Sequence, residues 1–216
     1  KKYSFDEEPL QLDDSERMKI DVIKEIYSFF PTELLSEIGE IKDDLKIELL
    51  RLPKLIEQYA ENNEGAEAYK FEDILVDGFN MFYNVEAEKI GGAGNTDIEC
   101  LYLTRKKKFA VDAKSTKNKL SGLNAGRLAS HRNKIGGEYT IVVTPRYVPA
   151  VLNDIKATPI VIIRASTFSE YLYNCIDNDE RKIDYAEFDN IITGNLGSDI
   201  SKNISKLTIE KFASKS

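Results

Sequence analysis

An α/β fold, with a mixed β-sheet flanked by helices, is predicted for most of this 216-residue chain. Three observations carry the prediction. From residue 68 onward, apolar positions at helical spacing alternate with short runs of β-branched and aromatic residues. The segments run helix, three strands, helix, strand, helix, strand, helix, an order that suits a mixed sheet. Ahead of them lies an acidic stretch that reads as helix alone, so an N-terminal helical segment over 1–65 precedes a core domain over 66–216.

In the N-terminal segment, Ile20, Ile23, Tyr27 and Phe30 recur at three- and four-residue steps. Pro31-Thr32 breaks that pattern and caps a second helix, whose stripe is Leu34, Ile38, Ile41, Leu45 and Leu49, ending at Leu52-Pro53. A short third piece carries Leu55, Ile56 and Tyr59 before the polar stretch 61–65. Such stripes are faces that helices turn toward a core.

The core domain opens with a helix bearing Phe71, Ile74, Leu75 and Phe79, leading into a strand over Tyr83–Ile90. Gly91-Gly92-Ala93-Gly94-Asn95 follows as a turn. It precedes a strand rather than a helix, which suits a close backbone approach to a site and not a Rossmann phosphate loop. Strands Ile98–Leu103 and Phe109–Ala113 are joined by a basic turn around Arg105-Lys106. Residues 121–134 read as a helix, 139–143 as a buried strand, 150–157 as a short helix, 160–163 as another buried strand and 166–175 as another helix. The polar tail after 177 has short apolar clusters without a clear period.

The composition, 42% hydrophobic and 31% charged, is that of an ordinary globular protein. No apolar run approaches the ~20 residues that cross a bilayer, and nothing after Lys1 resembles a signal peptide. No membrane partner is expected. A first residue other than Met suggests a fragment. Cys100 and Cys175 are too few for a disulfide framework or a zinc site and read as small core residues, which suits a reducing cytoplasm. His131 is the only histidine, and no Gly-x-Ser-x-Gly elbow accompanies it.

The net charge of −7 is unevenly placed. Residues 1–70 hold 10 basic against 18 acidic side chains, whereas 104–135 hold ten basic residues and a single acid, Asp112. That basic stretch can hold the phosphates of a polyanion by releasing its counterions, or serve as a solvated surface. Lys117, Lys119 and Arg127 are its candidate phosphate contacts.

Chemistry concentrates in Asn95-Thr96-Asp97, then 14 residues, then Asp112-Ala113-Lys114. Strand alternation points Asp112 and Lys114 to one face and Phe109, Val111 and Ala113 to the other. A turn centred between Arg105 and Lys106 would place Asp97 opposite Lys114 and Glu99 opposite Asp112, gathering three acids and a lysine. Phosphodiester hydrolysis uses such a set. Two carboxylates hold Mg²⁺ while water and phosphate complete its shell, and a nearby lysine orients the water or offsets developing charge.

Asp97 followed by Asp112-Ala113-Lys114 resembles the PD-(D/E)xK nuclease signature, with Thr96 where that signature has proline. The wider stretch resembles the FokI-like cleavage domains of type IIS restriction endonucleases. The similarity rests on Ile90-Gly91-Gly92, on Val111-Asp112-Ala113-Lys114 and the helix after it, on Glu72 nineteen positions ahead of Gly91, on the strand and helix at 160–175, and on Leu207-Thr208-Ile209-Glu210. It covers roughly residues 50–216.

The resemblance implies a PD-(D/E)xK core and a type IIS (or nicking) endodeoxyribonuclease without sequence preference of its own. Asp97 and Asp112 would ligate Mg²⁺, with Mn²⁺ as an alternative, and Lys114 would be the catalytic lysine. Glu72 would be a helix-borne catalytic glutamate. The implied partners are double-stranded DNA, a recognition domain on the same or another chain, and a second copy in a weak or DNA-induced homodimer. Arg132 falls where the family places a pairing arginine, in a helix over about 124–134, but Leu128 stands where its acidic counterpart belongs. Two alternatives remain: a structure-specific repair or recombination nuclease of the same fold, and a catalytically silent DNA-binding module. Intact Asp97, Asp112 and Lys114 weigh against the silent module.

Overall fold

Period-2 alternation sorts the apolar residues of five strands onto two faces, and each face takes its own helices. The computed structural model describes residues 46, 49–63, 65, 67–92 and 94–213. The stripes expected between residues 20 and 45 lie outside the described residues. Leu50–Ser216 is one compact unit.

Its elements are α1 (Arg51–Glu61), α2 (Ala68–Asn80), β1 (Val85–Lys89), β2 (Ile98–Tyr102), β3 (Lys107–Ala113), α3 (Ala125–Lys134), β4 (Thr140–Thr144), α4 (Val151–Ile155), β5 (Ile160–Arg164), α5 (Ala165–Asp177), α6 (Ala186–Gly194) and α7 (Ser201–Phe212). The strands lie in chain order across one sheet. β1, β2 and β3 form an antiparallel meander, while β3, β4 and β5 are parallel. This is the mixed sheet expected from the segment order. Residues 51–61, placed by their sequence in the N-terminal segment, form α1 and contribute Leu52 and Ile56 to the core. Pro53 sits in the first turn of α1, where its missing N–H breaks no helical bond.

One sheet face carries Phe109 and Val111, Ile141 and Val143, Val161 and Ile163, packed with Leu52, Phe71, Phe79, Phe168, Leu172, Phe188 and Ile204 from the helices. The other face carries Val142, Ile160 and Ile162 under Leu128 of α3 and Val151 and Ile155 of α4. That second layer lies over β4 and β5, and α3 also reaches β3. Along β1–β3 the same face bears Glu86, Glu88, Glu99 and Lys108. Asp112, paired with Val142, marks the line where the apolar cover ends.

Two expectations are corrected. The β2–β3 register pairs Ile98 with Val111 and Glu99 with Ala110, so the turn centre lies one residue earlier than the sequence suggested. The cause is the turn's conformation: Lys106 adopts a left-handed φ of 52° and its N–H donates to the Leu103 carbonyl at 3.2 Å. Asp97, Glu99, Asp112 and Lys114 keep their common face, because the shift in pairing is even-numbered. The helix expected over 121–134 begins only at Ala125, where the Asn124 side chain accepts from the Arg127 N–H at 2.9 Å as an N-cap. The tail after 177 supplies α6 and α7.

Candidate active site

Asp97 is pinned from both sides. Its carbonyl accepts from the Ile90 N–H at 3.1 Å, and its Oδ2 accepts from the Ala113 N–H at 2.8 Å. The preceding residue anchors the approach: buried Thr96 donates its hydroxyl to the Val111 carbonyl at 3.0 Å. The turn before it needs residues 91, 92 and 94 at φ values of 61°, 87° and 83°, conformations that glycine adopts without strain. The Lys134 ammonium reaches across from α3 to the Gly94 carbonyl.

Continuing the β2–β3 register places Asp97 opposite Asp112, on the face that Lys114 shares. Asp112 is 3% exposed, and the half-buried Lys114 ammonium forms an ion pair with its Oδ2. Burial, then the Asp112 charge, raises the Asp97 carboxyl above the usual aspartate range, while Lys114, the Ala113 N–H and Arg127 pull it partly back. Two carboxylates crowded on one sheet face, with Lys114 and Arg127 near enough to act on Asp97, are a donor set that a hard cation fits. Mg²⁺ or Mn²⁺ would take Asp97 and Asp112 as protein ligands and leave the remaining positions to water and phosphate.

The other candidates divide. Arg127, in the first half of α3, is exposed and close enough to act on the Asp97 charge. Lys117 and Lys119 are exposed on the loop after β3. Glu72 instead forms an ion pair with Lys89 at 2.8 Å, beside the Lys89–Asp73 pair at 3.1 Å. Glu99 faces Lys108 at 2.5 Å. Among the described residues no group of three His, Cys, Asp or Glu side chains gathers as a ready metal cage. Arg132 is 9% exposed and lies one helical turn beyond core-facing Leu128. Its Nη2 donates to Asn133 Oδ1 at 3.1 Å, so a pairing contact would need the side chain to turn outward. Cys100 and Cys175 are buried free thiols in the core. Two residues escaped the sequence reading. In the sequence Thr96 stands only as a departure from proline, and Lys134 only as one of ten basic residues over 104–135.

No protein-family model matches the chain. Over 211 residues, 98% of its length, the chain is 54% identical to the type II restriction enzyme HgaI of Avibacterium volantium. The chain is a homologue of part of a restriction enzyme. It spans 43% of that relative's length. Among solved structures, restriction endonuclease FokI is similar at a TM-score of 0.48 and 13% identity, covering 72% of this chain and 30% of FokI. FokI bound to DNA is similar at 0.49 and 10% identity, covering 89% of this chain and 34% of that one.

Proposed function

We propose that this chain is the cleavage part of a type IIS (or nicking) restriction endonuclease, hydrolysing DNA phosphodiesters with Mg²⁺ and without sequence preference of its own. The observation that carries the reading is the facing pair Asp97 and Asp112 with the Lys114 ammonium on Asp112. The homologous restriction enzyme supports it, and so does the excess of basic residues over 104–135 of the sequence. Asp97 and Asp112 hold the cation, which supplies a more acidic coordinated water and a counter-charge for the phosphoryl oxygens. Lys114, paired with Asp112, would orient the attacking water or stabilise charge on the phosphate. Arg127, Lys117 and Lys119 hold backbone phosphates, contacts that position a duplex without reading it. Sequence recognition then belongs to another domain, on the same or another chain. One such site attacks one strand at a time, so a double-strand break calls for a second visit or for a second copy, paired weakly or on DNA.

Plasmid cleavage tests this, with Mg²⁺ against Ca²⁺ and wild type against Asp112→Ala. The expected result is nicked plasmid preceding linear plasmid at low protein concentration. Asp112→Ala should cut at least about 100-fold more slowly, the scale on which losing a charge-stabilising group acts. Undiminished cutting by Asp112→Ala refutes the assignment.

A further inference from the structure

The chain leaves β3 by passing from the sheet to a helix. The last ladder partners of the strand are Ala113 and Val143, and the Lys114 N–H donates to the Val143 carbonyl at 2.8 Å. The next bonds go to α1. The Ser115 hydroxyl donates to the Tyr59 carbonyl at 3.0 Å, and the Thr116 N–H donates to the Ala60 carbonyl at 2.9 Å. Both acceptors lie in the last turn of α1, and the Tyr59 carbonyl also accepts from the Asn62 N–H at 3.3 Å. Alternation explains the reach: Ser115 follows Lys114, so its side chain points to the opposite sheet face, the one α1 covers. The same helix end holds a second strand exit, because Glu61 forms an ion pair with Arg146 after β4. The Arg146 carbonyl in turn accepts from the Leu120 N–H at 3.0 Å, on the loop that follows Thr116.

We propose that Ser115 is a positioning residue for Lys114, and that the C-terminal turn of α1 is the buttress through which it acts. The inference rests on the nuclease reading above. A lysine ammonium rides on a flexible four-carbon stem, so its place beside Asp112 is only as fixed as the backbone beneath it. Val143 holds that backbone on one side and α1 on the other. Ser115 itself faces away from the carboxylates and touches no substrate.

The test compares wild type, Ser115→Ala, Ser115→Thr and Lys114→Ala in the full chain. Turnover is read on saturating plasmid with Mg²⁺, DNA affinity by anisotropy with Ca²⁺, and folding by thermal melting. Ser115→Ala is expected to lose about 10-fold in turnover, since small misplacements of a reacting group are costly. Its DNA affinity should stay unchanged, and Ser115→Thr should restore turnover. Wild-type turnover in Ser115→Ala overturns the inference. So does a loss that appears in DNA affinity instead, or one that Ser115→Thr leaves unrepaired. Should Ser115→Ala melt below the assay temperature, Glu61→Gln weakens the same buttress from its Arg146 side, and unchanged turnover there is equally fatal. A wild type that cuts no DNA overturns the nuclease reading itself, which separates the two failures.

Discussion

Replacing Thr96 by Val tests how the approach to Asp97 is held. The two side chains have nearly the same shape, and residue 96 is 2% exposed, so the change removes little but the hydroxyl. That hydroxyl spans from the turn to the Val111 carbonyl at 3.0 Å, with a weaker reach to the Ile98 carbonyl at 3.4 Å. Loss of a buried bond of this kind costs about 1–2 kcal/mol once the abandoned carbonyl is included. For a unit of this size that lowers Tm by about 2–8 °C. The functional effect should exceed the thermal one, because Asp97 then depends on its own bonds to Ile90 and Ala113. A shift of about 1 Å in a reacting group can cost about 100-fold in rate, so a drop in cutting of at least about 10-fold is expected. Thr96→Ser, which keeps the hydroxyl, should retain most of the activity. Thermal melting and plasmid cleavage on the three proteins decide it. Wild-type melting and cutting in Thr96→Val would show that the hydroxyl anchors nothing.

Asp97→Asn should raise Tm in metal-free buffer at pH 8. Asp97 has a folded-state pKa above its unfolded value of about 3.9, so ionisation penalises the folded state as pH rises and costs nothing below that value. The gain should therefore vanish as pH falls toward the unfolded value, and a lower Tm for Asp97→Asn at pH 8 contradicts the crowding of the two carboxylates. Arg105→Ala should destabilise by about 3 kcal/mol in urea unfolding, because it strands the fully buried Asp189, which Arg105 meets at 2.7 Å. Adding Asp189→Asn should recover part of that loss, and additivity of the two changes would refute the coupling.

Strands were the most legible part of the sequence, since Phe109, Val111 and Ala113 against Asp112 and Lys114 declare both strand and face. The pairing register was not legible, because it turns on the left-handed Lys106, a conformation for which a lysine gives no signal. In α7, the stripe Ile200, Ile204, Thr208, Phe212 reads as interrupted at Thr208. The fold resolves that break by returning the Thr208 hydroxyl to the Ile204 carbonyl at 2.9 Å. In α6 the apolar positions Phe188 and Ile192 stand among Glu187, Asp189 and Asn190, and Asp189 is buried because Arg105 and Tyr139 meet it there. At the site, the acids and lysine could be named from residue type and spacing, whereas the partner of Glu72 could not. Lys89 is seventeen residues away in sequence and adjacent only after α2 packs on β1. The burial of Arg132 was equally hidden. Its stem lies against Gly137, where an added Cβ would come within 3.0 Å of the Arg132 Cγ.

The meander that brings Asp97 to Asp112 has a consequence for folding order. Its strands β2 and β3 are joined by a four-residue loop, and a hairpin of that kind closes in about 1–10 μs. The parallel partner β4 waits for the whole α3 crossover, and α1 must find Ser115 and Thr116 across more than fifty residues of chain. Long closures cost more entropy and come later. The two carboxylates therefore come together within a local, early-forming hairpin, whereas the lysine beside them is braced only when distant parts of the chain arrive. A partly folded molecule would gather its acids before it could aim its lysine.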